Sequence, residues 1–205
     1  MKRDKLIIGT RGSKLAIIYS EKVMNSLKKV TSVYIETKKI VTSGDENQKD
    51  RLSNIGGKGL FSKKIETELM NEEIDIAVHA LKDLPAIETD GLLTDTFLKR
   101  NDPKEILISR DKKKLKELDT KSVVGTSSYR REFQIKQIRP DVKCKLIRGN
   151  VDTRIKKLKE GQYDAIILSL AGIKYLQYEN EITEIFTTEE IIPSAGQGII
   201  ALQCR

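Results

Sequence analysis

The stretch Asp75-Ile-Ala-Val-His-Ala-Leu-Lys-Asp-Leu-Pro85 holds the residues best suited to chemistry. An apolar run ends in Lys82 and Asp83, side by side, and the sole histidine of the chain, His79, stands three residues before the lysine. A strand that runs into a charged turn is how α/β domains present reactive side chains at a cleft. Comparable turns elsewhere hold Arg11, Arg130, Arg131, Arg148 and Arg154, each among glycine, serine, threonine or asparagine. Guanidinium groups hold carboxylates and phosphates through paired, charge-assisted hydrogen bonds. Six cations in turns therefore suit a ligand with several anionic groups. Among them Asp83 is the acid able to stabilise a developing positive charge or pass a proton. From spacing alone, a structural cap or salt-bridge partner is the plainer reading of Asp83.

The elements that must position these residues follow from hydrophobic period and turn chemistry. Lys5–Ile8 reads as a strand that stops at Gly9-Thr-Arg-Gly-Ser13, and Leu15, Ala16, Ile18, Tyr19, Val23 and Leu27 have helical spacing. A strand, a glycine turn and a helix N-terminus form an anion site or a purely structural turn. Residues 33–41 read as a second strand. The polar loop after it reaches Gly56-Gly-Lys-Gly59, where Lys58 belongs either to a loop over a cleft or to a linker. A helical stripe over 60–70 leads to the strand at Asp75, the rhythm of a parallel βαβ sheet. Further strands are expected at 94–99, 105–109, 123–124, 142–147 and 164–170, with helices through Phe133–Ile138, Ile155–Leu158 and Ile173–Leu176. Pro193-Ser-Ala-Gly-Gln-Gly198 is a glycine turn into a last strand that returns to a sheet. The expectation is an α/β chain of two units, 1–98 with 192–205 and 99–191, each ending its strands in cationic, hydroxyl-rich turns.

Composition narrows the partners. The chain has 205 residues, a formal net charge of +8, 38% hydrophobic and 33% charged residues, enough apolar surface for a core under a charged exterior. The positive balance points to an anionic partner. With no Trp, six Tyr and four Phe, none interleaved with basic residues, no base-stacking platform is present and nucleic acid is not expected. Lys112-Lys-Lys-Leu-Lys116 reads as a solvated face. No run of about 18 apolar residues exists, so no membrane span is expected, and the N-terminal apolar run is too short for a signal peptide. Cytoplasmic location is the resulting expectation. Cys144 and Cys204 form no CxxC pair and, with one histidine, no zinc site; two reduced thiols are expected.

Eight motifs in order resemble the porphobilinogen deaminase (hydroxymethylbilane synthase) family. They are Gly9–Ser13, Gly56–Phe61, Asp75–Pro85, Arg100-Asn-Asp-Pro103, Val124–Arg131, Ile147–Arg154, Tyr163–Leu168 and Pro193–Gly198, and they span essentially the whole chain. The resemblance implies a transferase of haem biosynthesis that joins four porphobilinogens with loss of ammonia. It implies two periplasmic-binding-protein-like (type II) domains around a cleft, followed by a smaller third α+β domain. A dipyrromethane cofactor, thioether-linked to a cysteine of that third domain, primes the chain. By motif, Asp83 is the catalytic acid. Arg11, Ser13, Lys82, Thr126, Ser128, Arg130, Arg131, Arg148 and Arg154 hold carboxylates of cofactor and substrate, Gln197 lines the cleft, and Lys58 belongs to a loop over it. Porphobilinogen and linear oligopyrroles are the implied partners of a monomer. The sequence departs from the pattern at Ala80 (often serine), Asn54 (often lysine) and Tyr175 (often arginine). The third domain is expected to be absent, and neither cysteine matches the cofactor position. The alternatives are a non-catalytic polycarboxylate- or pyrrole-binding module of the same fold, or one half of a split enzyme.

Overall fold

The computed structural model describes residues 4–42 and 57–205; the side chain of Lys58 and all of Asn54 lie outside the described residues. The chain forms two compact units, Met1–Arg100 with Gly198–Arg205, and Asn101–Gln197.

In the first unit, β1 (Lys5–Arg11) is followed by helix α1 (Lys14–Leu27), β2 (Tyr34–Ile40), helix α2 (Lys63–Met70), β3 (Ile76–Ala80), β4 (Leu93–Phe97) and, from the end of the chain, β10 (Ile200–Cys204). The strand order is β2-β1-β3-β10-β4. β1 pairs in parallel with β2 and β3, while β10 runs antiparallel to β3 and β4. The sheet is therefore mixed rather than wholly parallel as the βαβ rhythm suggested. The returning strand enters from the opposite end, and a helix crossover is not needed for an antiparallel neighbour. Ile8 and Ala77 are fully buried, and Ile65 and Leu69 of α2 pack with Ile40, Ile74, Ala77 and Leu92.

The second unit contains β5 (Glu105–Ser109), β6 (Val123–Gly125), α3 (Tyr129–Ile138), β7 (Lys143–Lys145), α4 (Val151–Lys159), β8 (Ala165–Ser169), α5 (Leu170–Tyr175) and β9 (Glu184–Ile185), with sheet order β7-β6-β8-β5-β9. Alternation sorts its core into two layers. Ile106, Ile108, Ile166 and Leu168 pack with Ile155 and Leu158 of α4. Leu107, Ala165 and Ile167 pack with Ile135 of α3.

Two sequence expectations need correction. The strand expected over 142–147 is only Lys143–Lys145, because its partner β6 ends at Gly125 opposite Lys145; the Leu146 carbonyl accepts from Tyr163 Oη at 2.7 Å instead. The second boundary falls after Gln197, not 191. Ile192 N donates to Gln134 Oε1 at 2.7 Å, and Gln197 Nε2 donates to the Pro103 carbonyl at 2.6 Å, so residues 192–197 are tied to the second unit. Gly196 and Gly198 have φ of 70° and 85°, the left-handed turn that only then releases the chain into β10.

Candidate functional site

β1 ends at Arg11, and the polypeptide turns through Gly12 into α1. Ser13 caps that helix: its Oγ accepts from Ala16 N at 3.3 Å. The first turn of α1 contains no acidic side chain to offset the positive end of the helix dipole. Thr10 Oγ1 donates to the Ala16 carbonyl at 3.1 Å and fixes strand and helix together. The Phe61 ring lies 3.9 Å from the Arg11 guanidinium carbon, a cation–π contact.

β3 delivers the other half of the site. After Ala80 the chain makes a single 3-10 turn, Leu81–Asp83, because Leu81 N donates to Ile199 O of the returning segment and Leu84 N donates back to Leu81 O. Lys82 and Asp83 are thus half-buried at the strand's C-terminal end. A recess of about 60 Å³ opens there, lined by Arg11, Ser13, Phe61, His79, Ala80 and Asp83 among others. His79 is buried. Burial first, and the nearby Arg11 charge, lower its pKa to about 4, with Gln203 opposing. The recess thus combines one guanidinium, one carboxylate and a neutral imidazole.

In the second unit, the adjacent parallel strands β6 and β7 end together, and Thr126 N donates to the Lys145 carbonyl. Thr126 is buried, and its Oγ1 accepts from Ser128 N at 3.2 Å. Ser128 caps α3 by accepting from Arg131 N. Past β7, Arg148 is buried and Arg154 Nε donates to the Gly149 carbonyl at 2.7 Å. Gly149 has φ of 108°, a conformation that any side chain would strain. Thr126, Ser128, Arg148 and Arg154 therefore gather at the carboxyl ends of β6 and β7, where open α/β sheets bind ligands.

Three expected site residues have partners within the second unit. Arg131 makes a two-pronged ion pair with the buried Glu105 and also donates to the Ile167 carbonyl at 3.2 Å. Arg130 donates to the same carboxylate at 2.5 Å and to the Ile192 carbonyl. Gln197 is 1% exposed and bonded to Pro103 O. Lys58 falls in the 3-10 turn Gly57–Leu60, and its side chain is not described. Tyr175 Oη accepts from Asn101 Nδ2 at 2.6 Å, and burial raises its pKa. Sequence reasoning left out Glu105, Phe61 and a role for His79. Glu105 had a signal: it is the only charge in the run Glu105-Ile-Leu-Ile-Ser109, and a lone acid in a buried strand needs cations.

Residues 6–205 match the family model described as porphobilinogen deaminase, dipyromethane cofactor binding domain. Porphobilinogen deaminase of Brevibacillus brevis is 46% identical over 199 residues, 97% of this chain and 64% of that protein. The Bacillus subtilis protein of the same name is 46% identical over 200 residues, again 64% of its length. The chain thus spans less than two thirds of the length of these relatives. Among solved structures, a putative methionine-binding lipoprotein of Bacillus subtilis superposes with a TM-score of 0.58 at 12% identity, over 98% of this chain and 83% of that one. The Bordetella pertussis BvgS VFT2 domain gives 0.55 at 14%, over 98% and 81%. These likenesses establish the fold, that of periplasmic-binding-protein-like type II domains.

Proposed function

This chain belongs to the porphobilinogen deaminase family, and we propose that it is the part of a hydroxymethylbilane synthase that holds and condenses porphobilinogen. The reaction joins four porphobilinogens head to tail and releases one ammonia at each condensation. The observation that carries this reading is the recess at the end of β3, where Asp83 shares a lining with Arg11 and Ser13. A guanidinium beside a helix N-terminus suits a carboxylate of the substrate. Asp83 is then the group left to face a nitrogen. When the carbon–nitrogen bond of the aminomethyl arm breaks, ammonia leaves with the electron pair and positive charge spreads onto the pyrrole nitrogen. The Asp83 carboxylate stabilises that charge where it develops. Lys82 and Lys58 add cations for the remaining carboxylates.

The dipyrromethane cofactor fits the donor chemistry of the second unit. Thr126, Ser128, Arg148 and Arg154, at the ends of β6 and β7, offer hydroxyl and guanidinium donors for its carboxylates. When bound, the group supplies the pyrrole terminus that is extended. Arg130, Arg131 and Gln197 act in this reading by holding that end of the unit in shape. Porphobilinogen and linear oligopyrroles are the ligands, and the setting is a cytosolic monomer without nucleic-acid or membrane partners.

Calorimetry with porphobilinogen, alongside an assay for linear tetrapyrrole, tests the proposal. Binding with product is the expected result, and absence of both sinks it. Binding without product favours the second reading, a non-catalytic pyrrole-binding module or one half of a split enzyme.

A further inference from the structure

His79 is 7% exposed and borders the recess with Arg11 and Asp83. Its Nε2 is buried with no partner inside 3.5 Å, and the same holds for Oε1 of Gln203, although Gln203 lies near enough to raise the pKa of the ring. The two side chains belong to neighbouring antiparallel strands. Ala201 stands opposite His79 and Gln203 opposite Ala77, so His79 and Gln203 are diagonal neighbours on one face of the sheet. The Gln203 amide nitrogen is already committed, donating to Glu66 Oε1 at 3.2 Å, while Glu66 Oε2 accepts from Thr89 Oγ1 at 3.1 Å. Its oxygen is therefore the end left over. An amide oxygen only accepts, so these two buried atoms on adjacent strands satisfy one another through a small shift when Nε2 carries the ring proton; leaving either unsatisfied costs about 1–3 kcal/mol.

We propose that Gln203, itself fixed by Glu66, holds His79 in its Nε2–H tautomer, and that the imidazole then presents Nδ1 to the recess as a hydrogen-bond acceptor for an N–H group of the ligand. A neutral imidazole has one donor and one acceptor nitrogen, and fixing the first determines the second. The recess then holds two acceptors of different charge, Asp83 and His79, beside the Arg11 cation. That set fits a molecule with both an anionic arm and a nitrogen donor. The inference rests on the reading of the recess as a porphobilinogen site, and porphobilinogen offers an ammonium and a pyrrole N–H. The burial and the Arg11 charge that depress the pKa of His79 also keep the acceptor lone pair free at neutral pH.

Because the chain has one histidine, ¹⁵N-histidine labelling gives a single pair of ring-nitrogen signals. The expected spectrum is that of the Nε2–H tautomer between about pH 5.5 and 8. Its Nδ1 signal shifts when porphobilinogen is added to saturation as judged by calorimetry. An Nδ1–H tautomer, or an unmoved Nδ1 signal in the saturated protein, overturns the proposal while leaving the site reading intact. No binding of porphobilinogen overturns the site reading, and the ligand assigned here falls with it. Substitution separates the ring's two edges. His79→Asn retains an acceptor near Nδ1 and is expected to bind porphobilinogen within about threefold of the parent chain. His79→Gln retains the inner donor but not that acceptor and is expected to lose about tenfold. Equal losses in the two folded variants overturn the proposal.

Discussion

Arg131 grips Glu105 through two parallel hydrogen bonds, Nε to Oε1 at 3.0 Å and Nη2 to Oε2 at 2.7 Å, with the Glu105 side chain wholly out of water. Burial pushes the Glu105 carboxyl up, but the Arg131 and Arg130 guanidinium groups pull harder and hold it below the ordinary carboxylate value. Losing one partner of such a group strands the others without compensation. Glu105→Ala is therefore expected to cost about 3–5 kcal/mol in the second unit, read as a lower urea midpoint. A variant within about 1 kcal/mol of the parent would mean that both arginines find other anions.

That pair also shows where sequence reasoning stops. Arg130, Arg131, Arg148 and Arg154 all stand in hydroxyl- or glycine-rich turns, and by residue type they are interchangeable. What separates Arg130 and Arg131 from the other two is the Glu105 carboxylate, 25 and 26 residues earlier, which reaches them only when β5 and α3 pack together. The strands and helices were legible because alternation and the three-to-four spacing are local. The recess was legible in part, since Arg11, Ser13 and Asp83 all sit at or just past strand ends. The place of His79 was not, because its significance comes from β10, which follows it by more than 120 residues, and from Glu66 on α2 behind that strand.

Asp83→Asn keeps the shape of the side chain and removes its charge. The residue is half-buried at the rim of the recess, so folding stability is expected to change by no more than about 0.5 kcal/mol. In a preparation that turns over porphobilinogen, the rate is expected to fall about 10²- to 10⁴-fold, a size typical of losing a positioned acid or base. Unchanged turnover by Asp83→Asn would remove this carboxylate from the reaction.

Gly149 carries φ of 108°, and a Cβ built there lies 2.7 Å from Thr153 Cγ2 and 2.9 Å from Thr153 Cβ. Gly149→Ala therefore meets both a left-handed backbone and the side chain of the first turn of α4. A loss of about 1–3 kcal/mol is expected. Arg154 Nε donates to the Gly149 carbonyl, so the shift is also expected to disturb Arg154 and weaken polycarboxylate binding. A variant as stable as the parent, with unaltered affinity, would show that the loop relaxes without consequence.

The neutral state of His79 leaves a signature in the pH dependence of stability. Its pKa is about 4 in the folded chain, against 6.5 for an unperturbed imidazole. Between those values the unfolded chain takes up a proton that the folded chain refuses. Stability from this residue is therefore complete above about pH 6.5 and falls as the pH drops toward 4, by about 1.4 kcal/mol per unit. Among the described residues, Arg11 and Asp83 line the recess with it and Glu66 lies behind Gln203. Carboxylates elsewhere, Glu105 foremost, also lose stabilising charge at the acid end of this range. The measurement is accordingly a difference: urea unfolding of the parent and of His79→Gln at a series of pH values from about 7 down to 4.5. The parent is expected to lose stability faster than the variant as the pH falls, since only the parent has an imidazole to protonate on unfolding. Parallel curves would show that His79 takes up its proton in the folded state as readily as in the unfolded chain.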